Sequence, residues 1–314
     1  MTRGDWLPSL RQAGGLLVVL SVLAGVFGWL EPHFLSLATL SLLFSQVPDL
    51  AVLACGMTLV MVAGGIDLSV GSLVGLASVV LGLCLVSWQW PLWAAIAASL
   101  LVGLLCGLAS GLLSVLGRIP SFIVTLGMLE AARGGAYLVS GSQTLYLGAR
   151  LESISQPLAV INLAPSALLA GLVVLAGQGL LTFTVFGRRL QAVGANERAV
   201  WMMGVDPGQV KIITFALCGL GAGLAGVFQA ARLGAADPNA GIGMELGAIA
   251  AVVIGGASPT GGRGTVLGAF LGVLVIAVLQ TGLAQVGAAD PVKRLITGGV
   301  IVLAVLADSM RRRT

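Results

Sequence analysis

Long, nearly uncharged apolar runs follow one another along this chain, near residues 14–30, 40–64, 68–87, 91–116, 121–140, 162–183, 212–231, 246–258, 264–286 and 292–308. A helix of about 20 apolar residues crosses the ~30 Å hydrocarbon layer of a bilayer. Of the 314 residues, 58% are hydrophobic and 9% charged, with mean hydropathy +1.06. That leaves too little polar side chain to cover a water-soluble globule. The predicted fold class is an all-α polytopic membrane protein of about ten transmembrane helices, one transmembrane domain over 1–314. A β-barrel would need alternating segments of about ten residues, and these runs are continuous.

Glycine sets how such helices pack. The chain has 46 glycines, and Gly103-Gly107-Gly111 and Gly268-Gly272 follow the small-xxx-small spacing that lets helix backbones touch in lipid. The net charge of +4 reads as membrane orientation and not as a nucleic-acid patch. With a cytosolic N-terminus and every run crossing, Arg118, Arg188, Arg189, Arg198, Lys211, Arg263 and Arg311-Arg312-Arg313 fall on the cytosolic side together with the C-terminus, as the positive-inside rule requires. The turn SWQWPLW (87–93) then lies outside, with Trp88, Trp90 and Trp93 as an interfacial belt. Arg3 and Arg11 precede a first run that is longer than a secretory h-region and lacks an A-x-A site, so it reads as an uncleaved helix. Cys55, Cys84, Cys106 and Cys218 lie inside apolar runs without CxxC spacing and read as free buried thiols.

Catalytic constellations are missing. A serine-type intramembrane protease needs a Ser–His pair, and the one histidine, His33, falls in an expected loop. The aspartyl type needs two carboxylates in one site, and Asp67 has no second in a comparable setting. One histidine and scattered cysteines make no metal site. There is no G-x-x-x-x-G-K-[ST] loop, so any ATP that drives the chain binds on another subunit. Few intramembrane charges argue against a proton or sodium relay. Aromatic residues make up 5% of the chain, which suits a weakly binding conduit better than an aromatic stacking platform.

The segment MVAGGIDLSVGSLVG (61–75) interrupts the apolar runs with two glycines and a carboxylate. An ionised Asp at mid-membrane costs about 2.5–3.5 kcal/mol, so Asp67 needs a reason to be there. One reading makes it the cap of a helix starting near Leu68, accepting from the N–H of Ser69 or Val70. The other sets it with Ser69 and Ser72 beside a translocation pathway, as hydrogen-bond acceptors for a passing solute. The two are compatible. Gln280 and Thr281 serve interhelical hydrogen bonds or the pathway. Glu130 and Arg133, three residues apart on one helix, form a local ion pair or a gate contact. The segments GGIDLSVGSLVG (64–75) and GGASPTGGRGTVLGAFLG (255–272) both open on Gly-Gly and close on Gly-xxx-Gly, as two halves from one ancestral unit would.

The loop from Gly187 to Lys211 contains ANERAVWMMGVDP (195–207). Asn196 as N-cap, Glu197 in the first turn, Gly204 at C′ and Pro207 beyond it compose a short helix. Val200, Trp201, Met202 and Met203 are too apolar for a solvated loop. They pack on their own membrane domain or enter a groove on a partner.

GGIDLSVGS (64–72), IPSFIVTLGMLEAARG (119–134), FGRRLQAVGANERAVWMMGV (186–205), ARLGAADPNAGIGMELGAIAAVVIGGASPTGGRGTVLGAFLG (231–272) and LQTGL (279–283) resemble, in order, the permease subunit of ribose-type ATP-binding-cassette (ABC) importers. The resemblance covers nearly the whole chain. It implies a multi-pass protein of the bacterial inner membrane with a vitamin-B12-importer-like fold, surrounded by lipid and paired with a second permease copy as a homodimer or heterodimer. It further implies a cytosolic ABC ATPase that binds ATP and Mg, leaving no cofactor on this chain, and a periplasmic sugar-binding protein that delivers a monosaccharide or similar polyol. The family places its ATPase-coupling helix in the 187–211 loop, which assigns coupling to Gly194, Asn196, Glu197, Trp201, Met202 and Gly204; Asp67, Ser69, Ser72 and Gln280 are the candidate substrate-pathway residues. Two stretches depart from the family: AADPVKRLITGG (288–299) stands where an aromatic-rich stretch is usual, and Trp201 with two methionines where smaller residues are common. An ATP-independent sugar facilitator or secondary transporter is the alternative from another class, and a membrane scaffold or receptor a third.

Overall fold

The computed structural model describes the backbone of residues 6–158 and 163–311. Its first half holds α1 (Trp6–Leu30), α2 (Leu37–Val62), α3 (Val70–Gly82, continued by a π turn over Leu83–Ser87), α4 (Leu92–Leu116) and α5 (Ser121–Ser140). After β1 (Leu145–Tyr146) and the one-turn α6 (Glu152–Ser155) come α7 (Pro165–Phe183), α8 (Val185–Ala195), α9 (Glu197–Met202) and α10 (Pro207–Leu233). The chain then passes through β2 (Ala235–Ala236) to α11 (Met244–Ile254), α12 (Val266–Gln285) and α13 (Asp290–Arg311). All ten apolar runs are helical. Seven of the described helices, α2, α3 with its π turn, α4, α5, α7, α10 and α12, are long and apolar enough to cross a membrane, while α11 and the apolar part of α1 from Gly14 are shorter. Arg3, Arg312 and Arg313, assigned to one membrane face from sequence, lie outside the described residues.

α10 is the axis of the bundle and packs on α4, α2 and α3. The glycine spacing read from sequence is what brings α4 so near it. A Cβ on Gly103 would overlap the Gly219 carbonyl, one on Gly107 would overlap the Phe215 carbonyl and sit 3.0 Å from Gly219 Cα, and one on Gly111 would sit 3.0 Å from Ile212 Cα. The same device joins α12 to α11, where Gly268 faces the Gly255 carbonyl and Gly272 that of Ala251. Residues 51–62 of α2 and most of α3 are buried between these layers, whereas α1, α4, α5 and α7 turn exposed Leu, Val, Ile and Phe side chains outward. Trp88, Trp90 and Trp93 are exposed at the turn between α3 and α4, as a belt at a water boundary requires.

Three elements differ from the sequence expectation. The 187–211 stretch is not one loop with one helix: α8 precedes α9, and α10 begins at Pro207 instead of near 212, with Asp206 as its N-cap accepting from the Gly208 N–H at 2.8 Å. The run at 246–258 yields an 11-residue helix, about 16 Å long and too short to cross alone. Non-helical chain leads into it beside α3, with Ala236 at Gly82, the Pro238 and Ala240 carbonyls at Gly75, and Gly241 at Gly71. The segment from Ser140 to Pro165 pairs with this chain through β1 and β2, Leu145 opposite Ala236.

Gly107→Val should force α4 off α10 and destabilise the bundle by about 1–3 kcal/mol, the usual cost of overpacking. Gly171→Val on α7 is the control, since a Cβ there meets nothing within 4 Å. Unfolding midpoints in detergent check this: the first variant drops by several degrees and the second stays near the parent.

Candidate functional site

Non-helical backbone inside a membrane bundle must find partners for its N–H and C=O groups within the protein. The break between α2 and α3 does so residue by residue. α2 ends in a Schellman motif, with the Gly64 N–H on the Met61 carbonyl and the Gly65 N–H on the Val60 carbonyl, both at 2.9 Å. Gly64 has φ +81°, which only glycine adopts without strain. Beyond it, α5 supplies the partners: Ser121 Oγ accepts from the Ile66 N–H at 3.2 Å, and Thr125 Oγ1 accepts from the Leu68 N–H at 3.1 Å while lying 3.3 Å from the Ile66 carbonyl. Asp67 Oδ1 accepts from the Ser69 N–H at 2.9 Å and from the Ser69 hydroxyl at 2.6 Å.

Asp67 is fully buried, and so are Ser69 and Ser72. The helix after the break begins at Val70, not near Leu68, so the carboxylate closes an Asx turn upstream of the helix instead of capping its first turn. Of the two donors expected for it, Ser69 is bound. Its second oxygen accepts from no N–H or O–H group among the described residues, and the Cys218 thiol lies beside the carboxyl. Gln280 stands apart from this group, exposed on α12. The interhelical hydrogen bond expected of Thr281 is not made either, its buried hydroxyl lacking a partner. Gln285 and Gln178 supply that bonding instead, to Thr39 Oγ1 at 2.8 Å and from the Leu267 N–H at 3.1 Å.

The second Gly-Gly segment ends α11 by the same Schellman geometry, offset by one residue: Gly256, φ +85°, donates to the Val253 carbonyl and Ala257 to that of Val252. The two segments meet. The Gly262 N–H donates to the Val62 carbonyl at 2.9 Å, and Gly261 packs on Gly64 and Gly194. A Cβ on Gly194 would overlap the Val62 carbonyl, so the end of α8 is wedged against both breaks. This junction lies at the end of the bundle that carries Arg118, Arg198, Lys211 and Arg263.

α9 leaves directly from the junction. Asn196 Oδ1 accepts from the Ala199 N–H at 3.0 Å, Glu197 pairs with Lys211 at 2.6 Å, and Gly204 closes the helix at φ +80°. Val200 is buried and anchors it, whereas Trp201, Met202 and Met203 are 67–71% exposed. The helix therefore does not hide its apolar face on its own domain. Between α9, the Arg118 turn and the break lies a cavity of about 880 Å³, lined by Gly64, Gly65, Ser121, Trp201, Lys211 and Phe215 among others. The glycines of the break face this cavity, and the Asp67 carboxyl does not.

Charges at the far end were misread from spacing. The expected Glu130–Arg133 pair is absent; the Arg133 guanidinium donates to the Pro238 carbonyl and, at 2.9 Å, to the Ala240 carbonyl. An i,i+3 pair is worth about 0.2–0.5 kcal/mol, less than leaving two carbonyls of the non-helical 234–243 segment unmet at membrane depth. Tyr137 donates to Asn239 Oδ1 at 2.7 Å and adds to the clamp. Asp49 pairs with Arg232 at 2.9 Å between α2 and α10, a pair that no local spacing announces. Outside the spans, a hydrogen bond from Lys293 holds the exposed Asp290 carboxyl below its usual range.

Seven described helices long and apolar enough to cross a membrane, packed in one bundle with non-helical breaks inside it, define a polytopic membrane protein. The sequence matches, over residues 39–305, the family described as branched-chain amino acid transport system / permease component. It is 36% identical over 304 residues to the ribose import permease protein RbsC of Escherichia coli strain K12, which covers 94% of this chain and 93% of that protein. It is also 36% identical over 244 residues to the autoinducer 2 import system permease protein LsrC of Yersinia pseudotuberculosis serotype O:1b, covering 77% of this chain and 69% of that protein. No solved structure matches. The chain belongs to this permease family, the ribose-type permeases among them, as its motifs imply.

Asp67→Asn should be mild, because the amide keeps an acceptor for Ser69. Asp67→Leu strands a buried N–H and a hydroxyl at about 1–3 kcal/mol each. Detergent unfolding midpoints and transport at equal protein abundance separate the roles: if Asn loses transport as fully as Leu, the charge itself contacts solute.

Proposed function

We propose that this chain is the membrane subunit through which an ABC importer moves a monosaccharide or similar polyol inward across the bacterial inner membrane. A cytosolic ATPase holds ATP and Mg, a periplasmic sugar-binding protein delivers the solute, and a second permease copy, identical or closely related, completes the conduit. The single permease domain over 1–314 crosses ten times in the vitamin-B12-importer-like arrangement. The end bearing Arg118, Arg198, Lys211 and Arg263 faces the cytosol with both termini, which agrees with the positive-inside rule. The names of the relatives favour a sugar over an amino acid.

The observation that carries the reading is α9, a helix capped at both ends that presents Trp201, Met202 and Met203 to solvent next to the glycine junction. As the coupling helix it seats these side chains in a groove of the ATPase. Gly194 wedges the end of α8 against Val62 and Gly262, so displacement of α9 loads the Gly64-Gly65 break and the 255–264 glycine loop together. The ATP-independent facilitator is the reading to test against. Reconstituted alone in liposomes, the chain should pass labelled ribose no faster than empty vesicles; gradient-driven uptake by the chain alone would remove the importer assignment.

Trp201→Ala deletes an apolar anchor that contributes about 2 kcal/mol of docking at ~25 cal/mol per Å², so ATPase co-purification should fall more than tenfold. Gly204→Val places a β-branched residue at φ +80° and should misdirect the end of α9 with the same result. Trp90→Ala, at the opposite end, should leave ATPase binding intact. Full co-purification and transport by both α9 variants would place coupling elsewhere.

A further inference from the structure

The seven candidate spans contain two carboxylates, Asp49 and Glu130. Asp49 is buried and paired with Arg232. Glu130 is exposed, and among the described residues it has no hydrogen bond and no ion pair at contact distance; Arg133 donates to the Pro238 and Ala240 carbonyls and feels Glu130 only through a longer-range attraction. It is the tenth residue of the 20-residue α5, which puts it about 15 Å from either end and so at the middle of the hydrocarbon layer. An unpaired carboxylate there is tolerated where it faces a water-filled path inside the assembly, and is costly against lipid.

The surroundings of Glu130 have the features of such a path. The neighbouring 234–243 segment is non-helical and lies beside Gly75 of α3, twelve residues and about 18 Å from the Ser87 end. Exposed irregular backbone at that depth is found where it lines a cavity, and Ile242 is 61% exposed. Gly127 and Gly134, one turn to either side of Glu130, have nothing within 4 Å of a Cβ position, so the face around the carboxylate is open. The other acidic groups nearby are engaged: Asp67 is buried on Ser69, and Glu245 accepts from the Gly243 N–H.

We propose that Glu130 is a solute-contact residue at the midpoint of the pathway, accepting hydrogen bonds from polyol hydroxyls on an α5 face that a second permease copy closes from the opposite side. This rests on the sugar-importer reading above. In that assembly Asp67 shapes the break, and Glu130 meets the solute.

The test uses the complete transporter in liposomes, on a background with the four native cysteines replaced. A charged, membrane-impermeant methanethiosulfonate should label Glu130→Cys at least tenfold faster than Leu172→Cys, which lies on the exposed face of α7. Uptake of radiolabelled ribose by Glu130→Leu should fall at least tenfold in maximal rate, with the half-saturating concentration, set by the binding protein, unchanged. Glu130→Gln, which keeps an acceptor oxygen, should stay within threefold. Labelling of Glu130→Cys as slow as that of Leu172→Cys, or a full rate for Glu130→Leu, overturns the proposal. If the parent complex imports no ribose, the sugar reading has failed instead, and the labelling ratio still decides whether the α5 face is hydrated.

Discussion

In hydrocarbon an unpaired peptide group is a liability of several kcal/mol, and the architecture of this chain follows from how it meets that constraint at two places where helices stop. Between α2 and α3 the solution is hydroxyl: Ser121 and Thr125, one turn apart on α5, take the N–H groups of Ile66 and Leu68. Between α10 and α11 it is guanidinium: Arg133, on the same helix, takes two carbonyls. One helix thus underwrites both interruptions from opposite directions. That explains why α5 carries Ser121, Thr125, Arg133 and Tyr137.

Glycine then supplies what side chains cannot. The α4–α10 contact and the junction of Gly64, Gly194 and Gly261 are backbone against backbone, so they gain dispersion contacts at high density without ordering any side chain. Such contacts are also stiff. The bundle core around α10 is therefore a frame, from which the exposed helix α9 projects.

Much of this was legible in the sequence, because the signals were strong and local. Ten apolar runs gave ten helices, the glycine spacing of α4 gave its packing partner face, and Asn196 with Gly204 gave α9 to within a residue. What failed did so for identifiable reasons. α8 was missed because FGRRLQAVGA mixes charged and apolar residues at helical spacing inside a segment judged by hydropathy alone. Arg133 was given to Glu130 because spacing names the local partner, whereas the competing acceptors, Pro238 and Ala240, are more than a hundred residues away. Asp67 accepts from the Ser69 N–H as its spacing predicts, and the helix start at Val70 makes that bond an Asx turn instead of a cap. The Ser121 and Thr125 hydroxyls carried a visible clue, the i,i+4 pairing on a helix beside a glycine break, that composition-based reading passes over.

The two breaks are unequal in how they connect to the rest of the molecule, and this bears on how the proposed importer could alternate its access. The 64–69 segment is tied directly to α8 and to the second glycine loop, through Gly194 against Val62 and Gly262 on the same carbonyl. The 234–243 segment has no such tie; it touches that end of the bundle through α3, at Gly71 and Gly75, and is otherwise held by Arg133 and Tyr137 on the far side. A push on α9 therefore reaches the first break at once and the second only by moving α3. Because α3 is buried on nearly every side, it transmits displacement along its axis more readily than across it. Opening one break while the other stays clamped is the sequence of events that this linkage favours, and it requires no long-range motion of the α4–α10 frame.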